Sequence, residues 1–195
     1  MVAGSNLNAE EVIVGSFGHV YVADKGTDIP EDIDAAITAM ADTGTWQDLG
    51  YISEDGLAST FGKDITEIRA WQAQDPIRNI VNSRSGSFTC QLMQVNENTL
   101  PFALGGGEWT PGTGNQFVYE FPLASDPVDE RAMLIDVEDG DTQIVLAFYR
   151  AQVTGDVTQT FARGQSGNLA VTISFLSDPD AGNIGRIVGD QDLTS

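Results

Sequence analysis

The chain has a single histidine, His19, and a single cysteine, Cys90, among its 195 residues, and these two bound the chemistry open to it. A Ser-His-acid hydrolase needs an imidazole base beside an activated serine. His19 sits inside the alternating stretch His19-Val20-Tyr21-Val22-Ala23, and Gly164-Gln165-Ser166-Gly167-Asn168 lacks the closing glycine of a nucleophile elbow. Cys90 shares the apolar parity of Phe88 and Leu92, which reads as a buried small hydrophobe and not a reactive thiol. One Cys and one His can form neither an internal disulfide nor a Cys/His zinc set. Two acidic stretches resemble the start of a calcium loop. Asp178-Pro179-Asp180-Ala181-Gly182 meets Gly189 at its twelfth place and Asp136-Val137-Glu138-Asp139-Gly140-Asp141 meets Ala147, so neither has the closing glutamate, and only weak cation binding stays open. Gly105-Gly106-Gly107 carries no Lys-Ser/Thr and is not a phosphate loop. No pair among the acids stands out for glycoside chemistry. The residues therefore imply no cofactor, no metal and no catalytic constellation.

The elements that would position any site are mostly strands. His19–Ala23, Ile65–Gln72, Ile77–Asn82, Ser85–Val95, Gln116–Phe121, Arg131–Val137, Gln143–Arg150, Val157–Phe161 and Leu169–Leu176 alternate or are β-branched, and Trp46–Tyr51 could begin another. Leu169, Val171, Ile173 and Phe175 alternate with Ala170, Thr172 and Ser174, the pattern of a strand with one face on a core. Asp139-Gly140 supplies hairpin chemistry, and Asn96–Pro101 opens a short helix or turn. Gly105–Gly114 reads as a flexible loop carrying Trp109. Residues 24–45 interrupt the strands with turn chemistry at Gly26 and Pro30, then Ile33, Ile37 and Met40 at helical spacing. Three apolar residues bury too little to hold so short a helix without a partner surface, so this segment is expected to be an assembly loop. The expected fold is mainly β, a sandwich or barrel with a short helix, at most one helical segment and long loops, as a single domain over 1–195 with a polar N-terminal arm at 1–16.

Composition narrows the function classes. Nine Lys and Arg against 29 Asp and Glu give a net charge of −20, so phosphate-gripping nucleic-acid binding would work against the whole molecule's field. The acids divide 15 to 14 between residues 1–100 and 101–195, so they are spread over the fold and do not form a tail. Only Lys25 and Lys63 are lysines, a balance that also suits a protein in concentrated salt, as in a halophilic host. No apolar run approaches the ~20 residues of a membrane span, and the first ten residues do not read as a signal peptide.

One ordered set of segments remains: Val20–Pro30 with its Gly-Thr turn, Trp46-Gln47-Asp48-Leu49-Gly50-Tyr51, the Ser53-Glu54-Asp55-Gly56-Leu57 turn, Asp64–Gln72 with Trp71, Pro76-Ile77-Arg78 and Phe88–Leu92. In this order, over roughly residues 18 to 105, the chain resembles the major tail tube protein of long, non-contractile-tailed phages or related archaeal tailed viruses. Asp24 stands where a proline is expected, Ala73–Pro76 replaces a glycine turn, and no C-terminal immunoglobulin-like appendage is present. The resemblance implies a structural virion protein without an active site. Six subunits would form a ring by joining their sheets, and rings would stack into a tail tube through which DNA is ejected without specific binding. The partners are then further copies of this chain and other tail proteins. Ile33, Ile37, Met40, Trp46, Tyr51, Trp71 and Arg78 are the interface candidates. The alternatives are a carbohydrate-binding or hydrolytic sandwich with Trp109 stacking on sugar, and another virion part such as a capsid decoration or tail-terminator protein.

Overall fold

The computed structural model describes residues 12–164 and 166–190. Of the expected N-terminal arm, positions 1–11 lie outside the described residues. The architecture is mainly β. In chain order the elements are β1 (Phe17–Asp24), α1 (Ile33–Ala41), β2 (Gln47–Asp48), β3 (Ala58–Arg69), β4 (Pro76–Leu92), α2 (Thr99–Leu104), β5 (Glu108–Pro111) and β6 (Phe117–Glu120). They continue with β7 (Arg131–Asp139), β8 (Thr142–Val153), β9 (Thr158–Thr160), β10 (Asn168–Leu176) and β11 (Gly185–Asp190). The main sheet runs β2-β1-β7-β8-β10-β4-β3, with β11 paired to β8 and β9 to β10, while β5 and β6 form a separate two-stranded sheet.

Two apolar clusters lie on opposite faces of this sheet. One gathers Val20, Val22, Phe88, Cys90, Leu92, Met133, Ile135, Phe148, Leu169, Val171, Ile173 and Phe175, closed at one side by Leu100, Phe102 and Ala103 of α2. The other gathers Ala23, Ala132, Leu134, Val145 and Ala147 beneath α1, with Ile29, Ala36 and Trp46. The cause is visible in β7, where Met133 and Ile135 serve the first cluster and Ala132 and Leu134 the second, so both parities of one strand are apolar. β10 buries one parity, as its alternation requires. In the first cluster the Phe148 and Phe175 rings stack with centroids 3.6 Å apart and planes within 1°.

Helix α1 begins at Asp32, whose side chain accepts from the Ala35 N–H at 2.8 Å, with Asp34 adding negative charge in the first turn. It is not left without a surface: Ile33 and Met40 pack against the second cluster beside buried Ala36. The partner surface that so short a helix needs is thus supplied for Ile33 and Met40 by the chain's own sheet, where Ile29 before the helix and Trp46 after it join the same cluster. The limit of one helical segment is corrected. α2 forms a second helix, stopped by Gly105 in the left-handed region at φ +75°. The supposed flexible loop at 105–114 contains β5, paired to β6 with Trp109 opposite Tyr119.

Strands β3 and β4 leave the sheet body. β10 accompanies β4 only from Gly86 to Leu92, so the chain before Gly86 and after Phe61 continues as a two-stranded ribbon. About nine residues at ~3.3 Å each carry its tip roughly 30 Å outward. The ribbon contains two bulges. Between Asp64 and Ile65 the partner jumps from Ser83 to Val81, and between Ile68 and Arg69 from Arg78 to Pro76. The extra residue Asn82 donates from Nδ2 to Thr66 Oγ1 at 2.6 Å and to Asp64 Oδ2 at 3.2 Å. What the sequence reads as two strands, Ile77–Asn82 and Ser85–Val95, is thus one, since Ser83-Arg84-Ser85-Gly86 continues the ladder.

Candidate assembly interface

Among the described residues this antiparallel ribbon has no third strand and no helix beneath it. Its apolar residues are nevertheless large. Ile65 and Val81 face each other across the strands at 46% and 44% exposure, Ile80 lies opposite Thr66, and Ile68 opposite Arg78, so both faces of the ribbon present apolar side chains to solvent. At the tip, Trp71 is 100% exposed. An isolated two-stranded hairpin is marginal in water, and this one carries side chains that gain only by covering.

Its charge also differs from the rest. Four of the nine cations but three of the 29 acids fall between residues 61 and 84, so the ribbon carries +1 and the remaining chain −21. Arg69 pairs with Glu67 at 2.8 Å, whereas Lys63, Arg78 and Arg84 make no ion pair among the described residues. On the body most of the cations are engaged, Arg163 being the exception among the described residues. Lys25 and Arg150 converge on Glu130, and Arg131 holds Asp24 and Asp129. The Lys25 ammonium, with Arg150, holds the Glu130 carboxyl below the usual range despite burial.

The seven candidates from the sequence separate by environment. Trp71 and Arg78 lie on the ribbon and are exposed, Tyr51 is exposed beside the β1 edge, and Ile37 is 48% exposed on the outer side of α1. Ile33 and Met40 are half-buried on the second cluster, and Trp46 is 4% exposed within it. Four of the seven are thus available at the surface. Sequence reasoning missed Lys63, Ile65, Ile80, Val81 and Arg84 as a group. The available signal was apolar residues on both parities of strands otherwise filled with Ser, Thr, Asn and charge.

Next to Tyr51 lies a groove of about 760 Å³ between the start of β1 and the segment before β3, with Phe17, His19, Asp48, Glu54 and Leu57 on its walls. β2 accompanies β1 only at Tyr21 and Val22, with the Leu49 N–H donating to the Val20 carbonyl, so Phe17–His19 have no strand partner on this edge among the described residues. His19 Nδ1 is 3.2 Å from Asp48 Oδ2, and its ring stacks on Tyr21 at 6.0 Å. Among the described residues no serine hydroxyl hydrogen-bonds to His19. Burial, with Asp48, Asp136 and Glu138 adding negative charge, raises the Tyr21 phenol above its ordinary value.

Asp136 is the buried acid of this region, and Gln143 Nε2 donates to its Oδ1 at 2.9 Å. Burial raises its pKa, Glu138 adds to the rise, and the Gln143 hydrogen bond and His19 oppose it. A carboxyl whose folded pKa exceeds its unfolded value costs stability when ionised, so the cost is present at neutral pH and disappears as pH falls through that pKa. Asp136→Asn is therefore expected to raise the melting temperature at pH 7, with the gain shrinking toward pH 3. An equal gain at both pH values would show that ionisation is not its source.

The other sequence candidates are accounted for locally. Cys90 is buried, and desolvation pushes its thiol up to about 12. Asp178 Oδ1 accepts from the Asp180 and Ala181 N–H groups, which closes a turn, and Asp139 Oδ2 accepts from the Val14 N–H. Among the described residues no three His, Cys, Asp or Glu side chains converge as a metal set. Trp109 is half-buried, with Phe117 stacked on its ring at 4.0 Å and 11°, so one of the two faces that a sugar platform would use is occupied. No helix among the described residues is long and apolar enough to cross a membrane.

Comparison with known proteins gives this geometry its context. The phage tail tube protein family matches residues 5–191. The major tail protein Gp23 of Mycobacterium phage D29 is 24% identical over 183 residues, covering 89% of this chain and 88% of that protein. A chain from the virion of the native gene transfer agent particle aligns over 74% of this chain and 88% of its own length, at 9% identity and a TM-score of 0.40. An acidic β subunit with an unpartnered ribbon, matched over nearly its whole length, belongs to the phage tail tube protein family and is a structural component of the virion tail.

Proposed function

We propose that the subunit forms hexameric rings by laying its β3–β4 ribbon against a neighbouring copy, and that the rings stack into the tube through which DNA leaves the capsid. The observation that carries this reading is the ribbon: roughly 30 Å of two-stranded sheet, apolar on both faces and cationic on an acidic molecule. Joining it to a neighbour's sheet supplies the third strand or the covering face that it lacks among the described residues. Ile37 on α1 and Tyr51 provide further contact surface, and the segment 24–45 acts as an assembly element through its exposed side. The protein has no active site in this reading. A wall dominated by carboxylates lets a polyanion pass, because phosphates are repelled where lysines would hold them.

Six copies at −20 each bring −120 together. Exposed ion pairs contribute at most about 1 kcal/mol each, so overall repulsion outweighs them and salt, screening within ~10 Å at 0.1 M, should promote assembly. Electron microscopy of the purified chain across a salt series is expected to show rings and tubes that increase with salt. Monomers alone at high protein concentration and every salt would overturn the reading.

A further inference from the structure

The ribbon tip and the groove beside β1 are the two most unusual surfaces of the subunit, and they are complementary. The tip exposes a whole tryptophan, Trp71, with Asp75 in the same turn and two arginines on the strands behind it, Arg78 without an ion pair among the described residues and Arg69 in an exposed pair with Glu67 that a stronger acidic partner can replace. The groove is concave and has apolar walls at Phe17, Tyr51 and Leu57. Asp48 and Glu54 line it, and the free edge of β1 runs along it. We propose that the groove receives the ribbon tip of a second copy of this chain, with Trp71 against Tyr51 and Leu57 and the two arginines facing Asp48 and Glu54. This assignment deepens the ring reading and rests on it, since it names the surface on which the arm docks.

The covalent structure excludes the arm's own groove. Leu57 lines the groove and Ala58 begins β3, so Arg69 lies twelve residues of extended strand away, roughly 40 Å at ~3.3 Å per residue. A paired strand cannot double back over that distance, so the tip that enters must belong to another copy. The volume, about 760 Å³, lies within the 300–1,000 Å³ of clefts that enclose a group the size of an aromatic ring with its neighbours. A tryptophan and arginines entering a pocket rimmed by charge is also the composition that dominates interface energetics. The acids that raise the Tyr21 phenol, Asp48 among them, place negative potential at this end of the molecule.

The test is a photo-cross-link in assembled full-length chain carrying Tyr51→p-benzoylphenylalanine. Irradiation followed by trypsin is expected to join position 51 to the peptide Ala70–Arg78 of another subunit, and only in assembled material. A link to residues 1–11, or to any peptide other than Ala70–Arg78, would overturn the assignment while leaving ring formation intact. If the unaltered chain forms no rings or tubes, the ring reading fails and this docking with it. Should the Tyr51 variant alone fail to assemble, charge reversal decides. Arg69→Glu/Arg78→Glu and Asp48→Arg/Glu54→Arg are each expected to lower assembly at least tenfold, and a mixture of the two variants to form rings in which reversed tips meet reversed grooves. Failure of the mixture to recover assembly, or normal assembly by either variant alone, would overturn the proposal.

Discussion

Replacing Ile65 and Val81 together with aspartate is expected to leave the subunit folded and to abolish rings and tubes. The two side chains face each other on the ribbon, and each is nearly half exposed and belongs to neither core cluster. Surface substitutions away from packed features change stability by about 0.5 kcal/mol or less, so circular dichroism and the melting temperature should barely move. Assembly should respond quite differently. Two adjacent carboxylates would be desolvated in the ribbon's contact with a neighbour, and unpaired buried charge costs several kcal/mol. Around a ring that cost recurs at every contact, which is why the expected outcome is loss and not weakening. Sedimentation or electron microscopy reads the result. Normal tubes from the double variant would remove the ribbon from the interface.

The largest effect on folding is expected at Phe148. Its ring stacks on Phe175 at 3.6 Å inside the first cluster, and both residues are buried. Phe148→Ala removes the transfer energy of an aromatic ring and leaves a void between β8 and β10, at a cost of roughly 3–5 kcal/mol. That is a large share of the 5–15 kcal/mol that holds a typical protein together. Thermal unfolding should shift down by about 10 °C for a chain of this length, while Ile187→Ala, at an exposed position of β11, shifts it little. A loss at Phe148 below about 1 kcal/mol would mean that the stack does not hold the two strands together.

The residues that pack within the chain were the readable ones. β10 alternates so regularly that its inward set, Leu169, Val171, Ile173 and Phe175, follows from period two alone, and the structure buries all four. The β7–β8 hairpin follows from Asp139-Gly140, with Gly140 at φ +60°. The failures share a different cause. β11 has a short Arg186-Ile187-Val188 centre between glycines and forms because it finds the open edge of β8 at Gln143–Phe148, a partner more than thirty residues distant that no local period reveals. That α1 finds its partner surface on the chain's own sheet was not legible, because Ile29 and Trp46, which share that cluster, lie outside the helical repeat. The ribbon resisted because Ser83-Arg84-Ser85-Gly86 looks like a break, yet it continues the ladder across a bulge. Trp71 and Arg78 were identified through the resemblance, while Ile65, Ile80 and Val81, which belong to neither core cluster, had no core-facing pattern to follow.

The bulges bear on the symmetry of self-association. β3 ends the main sheet, so its outer edge offers a row of backbone donors and acceptors along Ala58–Arg69, and the simplest way to satisfy such an edge is to pair it with the same edge of another copy about a two-fold axis. That pairing is isologous and closes at two subunits. Here two bulges in β4 add local twist to the ribbon. A twisted edge is poor at meeting itself, and the dimeric dead end is disfavoured. What remains is heterologous contact, one surface against a different one, and that is the kind of contact which can be repeated around a closed ring.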